Sequence, residues 1–214
     1  MLEKYKIMPT KLKYPNPLPK TESEVFIIES LSIEDEIRGR FDGKALRDNL
    51  RIAGQRPGYI YVRDTKEFED AIELYRHSSY RFLHISAHGS PSGLATTLEV
   101  ISNQEFAQIC QSKLKNRRVF FSSCEVGSGM LGVLLQGQNK GIHSIVAPLD
   151  KILFGVSSAF WTALYIRAIT INPLGMNGNK LKPILEKLCD LFEVRLNWSH
   201  YSPTSDKWHQ EQLG

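Results

Sequence analysis

Short apolar runs alternate with helix-period segments along this chain, and that alternation restricts it to an α/β sheet with crossover helices. Five runs read as strands: EVFIIES (24–30), PGYIYVRD (57–64), RFLHIS (81–86), RVFFSS (118–123) and GIHSIVAPL (141–149). Phe82, Leu83 and Ile85, like Val119, Phe120 and Phe121, leave no polar face. Strands of that kind are covered on both sides, as in a parallel sheet. Helical periods fill 42–54, 65–78, 102–114, 127–141, 153–170 and 182–196. Gly54 follows the first as a C-terminal stop, Thr65 opens the second, and Ser102 or Asn103 opens the third. SPSGLATTLEV (90–100) reads as a loop with a short extended piece. The expectation is one domain over 23–198, with five or six mainly parallel strands and helices on both faces. A basic, proline-bearing arm (1–22) precedes it and a polar tail (199–214) follows.

At 214 residues, 42% hydrophobic and 23% charged, the chain has the size and composition of an ordinary globular protein. Its three cysteines, at 110, 124 and 189, are odd in number and scattered, so they offer no disulfide framework and fit a reducing compartment. Cys110 and Cys189 fall in helical patterns and read as small core residues. The first twenty residues lack the continuous apolar run of a secretory leader. The longest apolar stretch, 153–170, carries Ser157, Ser158, Thr162 and Arg167, which suits a buried helix better than a membrane span. Cytoplasmic location is therefore expected, with no membrane partner. The net charge of +4 raises the question of nucleic acid. Arg40, Lys44, Arg47 and Arg51 share one helix face, but no nucleic-acid-binding signature accompanies them, so a solvated face is expected.

Two of the strands end in residues that a thiol hydrolase needs. RFLHISAHG runs into His88 and Gly89, and RRVFFSSCEVG runs into Cys124 and a glycine-rich turn. Carboxyl ends of parallel strands lie along one edge, where open α/β sheets bind ligands. If the two strands are neighbours, imidazole and thiol emerge together, the arrangement that activates a cysteine nucleophile. Glycines after Cys124 permit a sharp turn, and a helix starting there would favour the thiolate. Gly89 can turn its N–H toward a reacting carbonyl oxygen. Other thiol chemistries fit poorly. A C-x5-R loop needs arginine where Met130 stands, and a G-x-C-x-G elbow fails at Ser122 and Val126. His84 and His88 lack further ligands at metal spacing, so no metal or cofactor is expected, and His84 reads as a core histidine. His143, His200 and His209 carry no signal.

The two blocks, HISAHG and then FFSSCEVGSG, together resemble the caspase-like cysteine peptidases, most closely the CHAT subgroup, and GIHSIVAPLDKILFGVSSAFWTALY is similar to that subgroup's fifth strand and following helix. The resemblance is good over roughly 80–170 and looser before it. It implies a caspase-like three-layer sandwich and peptide hydrolysis through an acyl-enzyme. Cys124 would be the nucleophile, His88 the general acid/base, and the backbone N–H groups of Gly89 and Cys124 the oxyanion hole. Ser122 and Ser123 stand where metacaspases carry an aspartate, and the reading of 182–196 as helix leaves no C-terminal dimer strand. Asp150, after the fifth strand, is a candidate base for a pocket taking a basic P1 side chain, or a helix N-cap. Glu125 is a candidate substrate contact or a helix-terminal charge. Bacterial members of the subgroup sit in defence or regulated-death systems. The resemblance thus implies a specific protein substrate and, since the chain carries no sensor domain, a separately encoded activator. A catalytically silent scaffold is the rival reading.

Overall fold

A computed structural model describes residues 21–138, 142–171, 178–202 and 204–214, so nearly all of the expected N-terminal arm lies outside the described residues. The chain forms β1 (Glu22–Glu29), α1 (Ile33–Ile37), α2 (Asp42–Ile52), β2 (Gly58–Tyr61), α3 (Thr65–Arg76) and β3 (Tyr80–Ser86). Three short strands follow, β4 (His88–Ser90), β5 (Gly93–Ala95) and β6 (Val100–Ser102), then α4 (Asn103–Ile109) and β7 (Arg118–Phe121). The second half holds α5 (Leu131–Gln138), β8 (Ser144–Pro148), α6 (Phe154–Ile171), α7 (Gly178–Phe192), β9 (Leu196–Ser202) and β10 (Lys207–Leu213).

Seven strands make the central sheet, in the order β10-β9-β8-β7-β3-β1-β2. The five expected from the sequence are parallel to one another. Alternate side chains divide the core in two. Phe26, Ile28, Leu83, Ile85, Val119 and Phe121 pack with α3, α4 and α5 on one face. Val25, Ile27, Phe82, Phe120 and Val146 pack with α2, α6 and α7 on the other. This is the expected three-layer sandwich. Helix starts follow from short polar side chains: Asp64 accepts from Glu67 N–H at 2.7 Å, one residue ahead of the expected Thr65, and Ser102 accepts from Glu105 N–H at 3.2 Å.

Three expectations are corrected. The polar tail at 199–214 is not a tail: with 196–198 it forms a hairpin whose strands pair antiparallel to each other and to β8. Its alternation is mostly polar because β10 is the sheet edge, where charged side chains such as Lys207 and Glu211 belong. The helix read over 182–196 starts earlier, at Gly178, and stops at Phe192, where Glu193 takes a positive φ of 54°. The segment 90–100 holds its expected short extended piece as β5, but that piece pairs with β4 and β6 in a small antiparallel sheet.

α6 is long and apolar enough to cross a membrane by length and composition. Here Phe160, Trp161, Leu164, Tyr165 and Ala168 bury its inner face against the sheet.

Candidate active site

β3 and β7 are neighbours in parallel register, with Ile85 opposite Phe121, so the segments after them leave the same edge of the sheet side by side. The two backbones nearly touch. A Cβ on Gly89 would stand 2.6 Å from the Cys124 carbonyl oxygen and 2.7 Å from Val126 Cγ2, so only glycine fits at that crossing. His88 and Cys124 both line a cavity of about 260 Å³ at this edge, along with Asp42, Ser122, Ile152, Phe154 and Ser157. Glu125, after the cysteine, holds a left-handed backbone (φ 56°), a conformation that costs an L-residue roughly 1 kcal/mol or more. Its N–H donates to the Asp150 carbonyl at 3.1 Å, which ties the cysteine turn to the end of the β8 segment. The helix expected to start just past Cys124 is a single 3-10 turn over Val126–Ser128, and α5 begins only at Leu131.

The imidazole has a partner that sequence reading missed. His88 Nε2 lies 2.6 Å from Asp35 Oδ2. Asp35 is 5% exposed and sits in the one-turn helix α1. Ser32 donates its hydroxyl to the same oxygen at 2.7 Å, and Arg40 donates to Oδ1 at 2.9 Å. Burial opposes ionisation of this carboxyl group, but the bonds from Ser32, His88 and Arg40 prevail and hold its pKa below the ordinary aspartate value. Phe154 meets the imidazole edge-to-face at 5.6 Å, and the Arg40 guanidinium lies over the same phenyl ring. The ring is thus fixed, with Nδ1 left for chemistry.

Cys124 Sγ finds its hydrogen-bond partners among the described residues at Ile152, accepting from its N–H at 3.4 Å and donating to its carbonyl at 3.6 Å. The other two thiols are buried, and burial pushes both up, Cys189 to about 12. Their expected place in the core holds. His84 is also in the core, against Tyr165 and Trp161, and burial lowers its pKa to about 3.

Asp150, the candidate for a P1 pocket, and Glu125, the candidate substrate contact, do not line the cavity. The Asp150 carboxylate faces Arg195 in a two-bond ion pair, each bond 2.7 Å, and is half-exposed outside the cavity. It caps no helix, since α6 starts at Phe154. The carboxyl group that does line the cavity is Asp42, which accepts from Ser86 at 2.5 Å, Ser122 at 3.3 Å and Ser157 at 3.4 Å. The basic helix face is only partly solvated. Arg40, Lys44 and Arg51 are exposed, though Arg40 stands before α2 and pairs with Asp35, while Arg47 is part-buried, bonding Asp48 and stacking on Tyr59. No cluster of metal-binding side chains occurs among the described residues.

No protein-family model matches the chain, and no curated protein sequence matches it. Solved structures do. One is a secreted C11 cysteine protease from Bacteroides thetaiotaomicron, called iotapain, which superposes with a TM-score of 0.55 at 9% identity, over 85% of this chain and 67% of that one. The likeness is one of fold: the chain has the caspase-like α/β architecture.

Proposed function

We propose that the chain is a cysteine endopeptidase that cleaves a protein substrate after a basic residue. The observation behind this reading is a single cavity walled by a thiol, an imidazole oriented by a buried carboxylate, and a second buried carboxyl group, Asp42. His88 Nδ1 takes the thiol proton, and Cys124 Sγ attacks the scissile carbonyl carbon. The N–H groups of Gly89 and Cys124 carry the charge that develops on oxygen. His88 then gives its proton to the leaving amine. A water, deprotonated by the same nitrogen, releases the acyl group and restores the thiol. Asp35 keeps the proton on Nε2 throughout, so that Nδ1 cycles between base and acid.

In this reading Asp42, at the floor of the cavity, meets the ammonium or guanidinium of the residue before the cleaved bond, the role that the sequence suggested for Asp150. The Ile152 backbone occupies the sulfur, and the Asp150–Arg195 pair holds that segment to the start of β9. A separately encoded activator that draws this segment back fits the site. The finer expectations from the motif blocks belong here too: kinship with the CHAT subgroup, a cytoplasmic setting, a bacterial defence or cell-death role, and no direct contact with nucleic acid. A silent adaptor would have no use for a buried carboxylate bonded to a half-exposed imidazole.

Digestion of a proteome-derived peptide library, with new C-termini read by mass spectrometry, tests the reading. Lysine or arginine is expected before each new terminus with the wild-type chain, and no cleavage with Cys124→Ala. Cleavage that survives Cys124→Ala, or that follows neutral or acidic residues, would overturn it.

A further inference from the structure

Under the cavity, between the sheet and α2, two carboxyl groups meet with no cation between them. Glu29 ends β1 with no exposed surface, and Asp42 opens α2 with 9% exposure. Donors saturate Glu29: Gly43 N–H at 2.7 Å, Lys44 N–H at 3.1 Å and the Tyr59 hydroxyl at 2.7 Å. The packing is tight as well, since a Cβ on Gly43 would stand 3.0 Å from Glu29 Cδ. Asp42 has partners of a different kind, the hydroxyls of Ser86, Ser122 and Ser157, which donate or accept as they rotate. Ser86, which meets Asp42, stands opposite Glu29 in the register of β1 and β3, and Gly43, which donates to Glu29, follows Asp42 in the chain, so the two carboxyl groups lie close together.

The charged groups around the pair have other partners. Arg40 and His88 meet Asp35, and Arg47 meets Asp48 over the Tyr59 ring. The Lys44 ammonium lies over Phe41, while Lys151 and Cys124 stand at the cavity wall. Neither Glu29 nor Asp42 has an ion pair among the described residues. Two buried carboxylates this close do not both ionise without a counter-charge.

We infer that Glu29 and Asp42 hold one proton between them in the empty pocket, carried on Asp42, and that a cationic P1 side chain expels it to solvent on entering. The inference rests on the peptidase reading of the cavity. Glu29 is the permanent anion, because two of its three partners are backbone N–H groups that can only donate, and the Tyr59 hydroxyl donates to it as well. The empty pocket therefore carries one negative charge. Filled, it holds two carboxylates and one cation, and the net charge is again one negative. The charge of the pocket is the same at both stages, whereas a neutral side chain finds a protonated acid and gains no ion pair. Glu29 acts through Asp42 as a positioning residue. Burial pushes both carboxyl groups upward, so the pair keeps its proton above the pH at which a lone carboxyl group loses it. Cation affinity then rises about tenfold per pH unit until the pair loses that proton unaided, and levels off above.

Calorimetric titration of the full chain with agmatine, in buffers of different ionisation enthalpy between about pH 6 and pH 8, reads the proton directly. Release of about one proton per agmatine is expected at the acid end, fading toward the alkaline end, with none for the neutral isostere n-butylurea. Asp42→Asn should lose agmatine binding, which fixes the site. Glu29→Gln should keep binding and lose the proton release, because Asp42 ionises freely beside a neutral amide. If that variant does not fold, Tyr59→Phe serves: removing one donor from Glu29 should carry the proton release to higher pH. Agmatine bound without proton release across the range overturns the inference and leaves the basic-P1 reading standing. Agmatine that binds at no pH to folded protein contradicts the basic-P1 reading, and the inference falls with it.

Discussion

The imidazole of His88 has one nitrogen committed to Asp35 at 2.6 Å, and this fixes which nitrogen serves the thiol. Asparagine at position 35 would keep the shape and lose the charge. Asp35→Asn should lower kcat by about 10²-fold and leave KM within about twofold, because the carboxylate acts on the proton carrier and not on bound substrate. Steady-state kinetics on a basic-P1 peptide checks this, and a change confined to KM would remove Asp35 from the machinery. His88 and Cys124 were legible in the sequence because each follows a buried strand and precedes a turn. Asp35 was not. Glu34, Asp35 and Glu36 adjoin in a helix of five residues, too short for a period to show which acid faces inward. Asp42 was equally hidden, since an acid in the first turn of a helix is commonplace. Asp150, the sequence's candidate for the P1 pocket, pairs instead with Arg195, which arrives on the loop before an unforeseen strand.

Elements on the catalytic edge depend on elements away from it. The hairpin β9–β10 covers the flank of β8, whose five residues are all buried. Deleting 199–214 would turn a buried strand into an open edge, so aggregation or a melting temperature lower by 10 °C or more, on the order of several kcal/mol for a domain of this size, is expected. A truncated chain that melts like the full one would return this segment to the status of a tail. The five parallel strands were readable because each carries an apolar run, whereas in β10 only Leu213 is buried and the rest has an edge strand's polar sequence. His84, on β3, gives the sheet a pH dependence. Its folded pKa of about 3 lies below the unfolded 6.5, so the unfolded chain binds the proton first. That stability is complete above 6.5 and is lost as pH falls toward 3. Relative to His84→Leu, wild type should lose about 1.4 kcal/mol per pH unit in that window, measured by urea unfolding. Parallel curves for the two proteins would mean that His84 titrates in the fold.

At the scale of the molecule, a three-layer sandwich brings Asp35 of α1, Asp42 of α2, His88 of β4 and Cys124, just past β7, to one edge, and the account's central claim is that this edge is a thiol peptidase's active site. The architecture was legible from the strand–helix alternation. What the sequence hid is assembly across distance: Asp35 and Asp42 come from the region before β2, well separated in sequence from the two motif blocks that they serve. One measurement bears on the claim most directly: intact-mass labelling of the chain with an arginyl acyloxymethyl ketone peptide, followed by mapping of the modified residue. One adduct is expected, on Cys124, slowed in Asp35→Asn, absent in Cys124→Ala, and unchanged when Cys110 or Cys189 is replaced by alanine. Buried thiols with raised pKa values react slowly. An adduct on Cys110 or Cys189, or labelling of Cys124→Ala at the wild-type rate, would contradict the account.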